Sequence, residues 1–218
     1  MCNFNTSTYG FETAKRILRI SSSTMRKVID FNLVSASPRG TEQRNEEYSG
    51  WDIGYLSAAR SRPFTIEDGQ KALVCSMGVE EHNALPSPYL DATALEYKDV
   101  LDKIRSNVSE ETWHQVQDGT LRVTGFWRVS QEDTDFLVSN QSIIVFSWAG
   151  FILAGGHIME CVPNVVNQSG GRCFVVKPFD RHDAHLYAHN YLRSRPGPMN
   201  KVWSSEELLE EALKLRKS

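Results

Sequence analysis

Several familiar marks of chemistry are missing from this chain. Its four cysteines, Cys2, Cys75, Cys161 and Cys173, form no CxxC pair, which excludes a zinc ribbon or a dithiol redox motif and leaves free thiols as the expectation. Neither GxxxxGK[ST] nor GxGxxG occurs, so the common phosphate loops are excluded, and Gly155-Gly156 and Gly170-Gly171 read as turn or bulge glycines. HExxH is absent as well, and so are internal repeats and low-complexity tracts. Residues 1–10 are polar and have no apolar h-region, from which an intracellular, cytoplasmic location without a signal peptide is expected. Charge of one sign is also lacking. With 24 Lys and Arg against 27 Asp and Glu the chain is net −3, which excludes a protein that coats nucleic acid along its whole surface.

What is present is the composition of a folded globular protein, 40% hydrophobic and 23% charged over 218 residues. The charge is unevenly placed: residues 1–62 are net +3 and residues 63–218 net −6. A basic arm on an acidic body is a contact device for phosphate, headgroups or another subunit.

The chain is organised around an uncharged run at 136–159, FLVSNQSIIVFSWAGFILAGGHIM. Its length could span a bilayer, which takes about 20 apolar residues. The serines, Asn140, Gln141 and three glycines disfavour that transmembrane helix, and two strands fit better, 142–148 and 151–159, with Ala149-Gly150 as a tight turn. Near-continuous apolar character implies strands buried on both faces, in the middle of a sheet.

Elsewhere, residues 11–20 have the spacing of a short basic amphipathic helix, and 28–34 alternate as a strand. Residues 35–50 read as a linker or mobile loop. Residues 51–62 start extended and turn helical before Pro63, and 64–66 with 71–77 suggest a hairpin around Asp68-Gly69. Asp91 is expected to cap a helix through Val108, and Ser109 a second one ended by Gly119. Residues 120–130 alternate as a strand with Arg122, Thr124, Phe126 and Arg128 on its wetter face. Residues 172–177 form another strand, 180–193 a helix broken by 195–198, and Ser204 or Ser205 caps the last helix.

Three groups of residues could carry function. His182, His185 and His189 share a face if 180–193 is one helix, and with His157 they could hold a zinc ion. Cys173 is the candidate nucleophile, with His182 as its base. Lys15, Arg16 and Arg19 on the first helix, and Arg122, Phe126 and Arg128 on a strand, are candidate contacts for nucleic acid, a membrane surface or a protein.

The expected fold is α+β: a mostly antiparallel sheet of about five to seven strands, with helices packed on one face and a C-terminal helix. Residues 1–50 are expected to form a basic N-terminal segment and linker, and 51–218 a single α+β domain. The expected function is a non-catalytic binding or assembly protein whose basic segment and sheet face engage a partner, foremost a protein or a second copy. The alternative is a metal-dependent hydrolase built on the histidines at 182–189.

Overall fold

A computed structural model describes residues 7–38, 46–78, 87–90, 98–167, 170–193 and 200–216. At its centre the uncharged run folds as a β-hairpin, β7 (Ile143–Trp148) and β8 (Phe151–Val166). Ala149 and Gly150 join them with φ of 53° and 91°, the two left-handed residues that a tight turn between twisted strands demands. The pairing sets Ile143 opposite His157 and Trp148 opposite Phe151, with a bulge between Phe146 and Ser147. No helix of the described residues is long and apolar enough to cross a membrane.

Five further strands complete a seven-stranded sheet: β4 (Lys71–Ser76), β5 (Tyr89–Leu90), β6 (Arg122–Thr124), β9 (Arg172–Pro178) and β10 (Asn200–Ser204). The order is β10-β4-β7-β8-β9-β6-β5, antiparallel except for the parallel pair β4–β7. The hairpin is therefore the middle of the sheet, as its apolar run implied. Ile144, Phe146 and Trp148 enter one core cluster, while Ile143 and Val145 enter another, so β7 is buried on both faces. Gly155 and Gly156 are required by close approach: a Cβ on the first would collide with the Phe179 ring and the Ile144 carbonyl, and on the second with the Lys177 carbonyl.

The helices are α1 (Phe11–Leu18), α2 (Ser22–Asp30), α3 (Gly50–Arg60), α4 (Lys98–Arg105), α5 (Glu110–Gln117), α6 (Gln131–Ser139), α7 (Arg181–Tyr187) and α8 (Ser205–Arg216). This is an α+β architecture, with a small second sheet of β1 (Thr8–Gly10), β3 (Glu46–Ser49) and β2 (Ala36–Pro38). Ala14, Leu18, Met25, Val28, Ile53 and Leu56 share one cluster with Leu73, Ile144, Phe146 and Phe174, so the first three helices are built onto the sheet. Leu101, Ile104, Trp113 and Val116 of α4 and α5 pack with Val123, Cys173 and Val175.

Caps explain several helix ends. Ser109 accepts from Thr112 N–H at 3.0 Å, and Ser130 from Asp133 N–H at 3.0 Å. Ser204 accepts from Glu207 N–H at 3.3 Å while Glu207 Oε2 accepts from Ser204 N–H at 3.1 Å, a reciprocal capping box.

Some expectations are corrected. Residues 28–34 are not a strand: Ser21 caps α2 through Thr24 N–H at 3.1 Å, and Met25, Val28, Phe31 and Val34 are buried at a spacing of three. Residues 64–66 do not pair with 71–77. Phe64 N–H instead bonds to the Tyr191 carbonyl at 3.0 Å, and β4 takes β7 and β10 as its neighbours. Residues 51–62 are helical from their start, Ser49 accepting from Asp52 N–H. The strand at 120–130 shrinks to β6, followed by an isolated Trp127–Arg172 bridge. Helix α6 begins before the uncharged run and ends inside it. The cap at Asp91 and the break at 195–198 lie outside the described residues, as do 39–45 of the expected linker at 35–50, whose described parts are not a loop but form β2 and β3 and open α3.

Candidate functional site

The candidate residues fall in four places, and only one of them gathers charge. Consider first the histidines. Helix α7 starts at Asp180, whose carboxylate accepts from His182 N–H at 2.8 Å and Asp183 N–H at 2.9 Å; the backbone bonds from Asp183 and His182 hold that carboxyl below its ordinary value. The helix stops at Tyr187. Ala188 is extended and His189 takes φ of 61°, because the chain must turn inward to bury Ala188, Asn190 and Tyr191. His189 therefore leaves the helix and meets the hydroxyl of Tyr55, while His182 and His185 stay exposed on α7, so the expected three-histidine face does not form. His157 pairs with Asp183, Nε2 to Oδ2 at 2.9 Å, beside the Phe179 ring. Among the described residues no group of three or more His, Cys, Asp or Glu is gathered to hold a metal. Ser142, one position out of register with His157, makes no hydrogen bond to it, and no Ser–His–Asp relay is formed.

Cys173 is wholly buried, its Sγ directed at the Val165 carbonyl, and burial pushes its thiol up to about 12 with Cys161 adding to the effect. A thiol so hard to ionise is a core residue. On β6 and beyond, Arg122 and Arg128 are exposed, and Phe126 packs partly buried against the α4–α5 cluster.

The first helix divides its charges. Lys15 is taken up by Glu12 and by Ser22 at 3.1 Å, and Arg16 is exposed. Arg19, in the left-handed conformation that closes α1, instead lines a cleft of about 290 Å³ with Ile17, Ser57, Arg60, Ser61, Pro63, Leu215 and Arg216. No carboxylate is among these lining residues. Arg60 lies over the Tyr191 ring at 4.6 Å, and its Nε is buried without a hydrogen-bond partner among the described residues. Burial lowers the Arg60 guanidinium from its ordinary value, the facing Tyr191 opposes this, and repulsion from Arg19 and Arg193 adds to it.

These arginines also sit at the C-terminal ends of α1, α3 and α8, where cations complement the helix dipoles. Magnitudes decide between the two roles. Three helix ends supply about −0.5 charge each, roughly −1.5 together, whereas the lining Arg19, Arg60 and Arg216 carry three full positive charges. About half of the positive charge is left over.

Reading the sequence found Arg19 and missed Arg60 and Arg216. The segments meet only through the fold, but Trp51 and Tyr55 carried a local signal: two aromatics four apart on a helix, both on its outward side, 64% and 41% exposed. Comparison of the chain with protein-family models, with curated proteins and with solved structures finds no match in any of the three.

Proposed function

We propose that this protein is a non-catalytic binding protein that takes up a phosphate-bearing group of its partner in the arginine cleft. The observation that carries the reading is the gathering of Arg19, Arg60 and Arg216 around one cleft with no carboxylate among its described lining residues. An anion there relieves the repulsion among the guanidinium groups, and guanidinium forks suit phosphate oxygens. Of the expected basic contact Lys15, Arg16 and Arg19, this reading uses Arg19, which lines the cleft.

Isothermal titration with sodium tripolyphosphate tests this. Binding that weakens with added salt is expected, and Arg19→Gln or Arg216→Gln should reduce affinity roughly 10-fold or more, the worth of one charge-assisted bond. Arg60→Lys separates charge from fork geometry and should weaken binding with little loss of stability. No heat of binding, or variants that bind like the parent, would overturn the reading.

A further inference from the structure

The charge of the cleft indicates which kind of phosphate fits it. Arg19, Arg60 and Arg216 bring three positive charges to the lining and the ends of their helices return roughly −1.5, so about +1.5 is unanswered. Arg193 adds to the repulsion felt by Arg60. A carboxylate or a phosphodiester linkage carries one negative charge and leaves part of this surplus. A phosphomonoester carries about −1.5 to −2 at pH 7 and cancels it. Ile17, Pro63 and Leu215 supply apolar lining for the carbon that bears the phosphate. The backbone gives a second, independent sign. Arg19 closes α1 at φ of 51°, its N–H donating to the Arg16 carbonyl at 3.2 Å and that of Ile20 to the Lys15 carbonyl at 3.3 Å. Glycine is the residue that suits such a position, and a strained arginine kept there marks a side chain with work to do.

We propose that the group bound between Arg19, Arg60 and Arg216 is a terminal phosphomonoester in its dianionic form, not a phosphodiester linkage or a carboxylate. This rests on the reading of the cleft as a phosphate site and goes further in naming the ester. The proposal fixes a pH dependence. Arginine, serine and the apolar lining residues hold one protonation state between pH 5 and 8. Tyr191, which faces Arg60, is raised from its ordinary value of 10.0 by burial and stays neutral there, and Arg193 stays charged. A change of affinity across that range therefore reports the second ionisation of the ester, near pH 6.

The test is isothermal titration of the full chain with phenyl phosphate and phenyl sulfate, with tripolyphosphate titrated in parallel. The two esters share one tetrahedral shape but differ by about one charge at pH 8. Phenyl phosphate should bind roughly 10-fold or more tightly than phenyl sulfate at pH 8, the worth of one further charge-assisted contact, and lose that advantage by about pH 5, where it too is a monoanion. Phenyl sulfate affinity should not change. Arg19→Gly suits the left-handed backbone, so it should keep or raise the melting temperature while reducing the preference for phosphate over sulfate. A phosphoserine peptide and vesicles containing phosphatidic acid carry the same ester, and tighter binding of one than of phenyl phosphate assigns the source to a protein or to a membrane. Phenyl phosphate binding no more tightly than phenyl sulfate at pH 8, or keeping its advantage at pH 5, would overturn the monoester proposal, and tripolyphosphate binding would then leave the anion site standing. No binding of any of the three would remove both. An Arg19→Gly protein that melts like the parent and retains the full preference would also overturn the proposal.

Discussion

Lys71 and Asp133 join the start of β4 to the first turn of α6, Nζ to Oδ1 at 2.8 Å, with each side chain about a third exposed. Lys71 also lies over the Phe136 ring at 4.8 Å. The hydrogen bond to Lys71 holds the Asp133 carboxyl below its ordinary value against the cost of burial, with Ser130 helping, and the same bond raises Lys71. A carboxyl depressed in the folded state stabilises the protein fully above its unfolded pKa, near 3.9, and loses that contribution as pH falls through the lower folded value. Discounted for solvent screening, the pair is worth about 1 kcal/mol. In a chain of this size that corresponds to a melting shift of roughly 2–4 °C. The assay is a double-mutant cycle of Asp133→Asn and Lys71→Met, melted by circular dichroism at pH 7 and again as the pH is lowered toward 3. Asp133→Asn should cost stability at pH 7, with a coupling near 1 kcal/mol that shrinks on acidification. A coupling that is absent at pH 7, or the same at both ends of the series, would refute the reasoning.

Other outcomes follow from the packing. Ser204→Ala removes half of the capping box on α8 and should cost about 1 kcal/mol, read from thermal melts. Phe146→Ala, at a fully buried position in the central strand, should cost about 3–5 kcal/mol in denaturant unfolding. Gly155→Ala forces a methyl against the Phe179 ring and the Ile144 carbonyl and should depress the melting point more than Gly10→Ala, where nothing lies within 4 Å. Cys75 and Cys173, both fully buried with raised thiol values, should resist alkylation at pH 8 until denaturant is added, as followed by peptide mass spectrometry.

The sequence by itself determined the features whose causes are local. The uncharged run with its Ala149-Gly150 turn settled the central hairpin, because two left-handed residues between β-branched strands leave the chain few alternatives. Ser109 and Ser204 marked helix starts, since a cap is a contact across three residues. The amphipathic helix at 11–18 was legible for the same reason. Tertiary structure alone decided the parallel pairing of β4 with β7 and the edge strand β10, because a strand carries no record of its partner; burial of both faces selects it. It also overruled local pattern twice. Residues 28–30 alternate yet belong to a helix, since burial of Met25, Val28 and Phe31 against one cluster outweighs strand propensity. His189 follows helical spacing yet leaves the helix, since Tyr191 must reach the core beside Phe151. The arginine cleft belongs wholly to this second kind: Arg19, Arg60 and Arg216 come from three separate helices, and only the meeting of those helix ends brings them around one cleft.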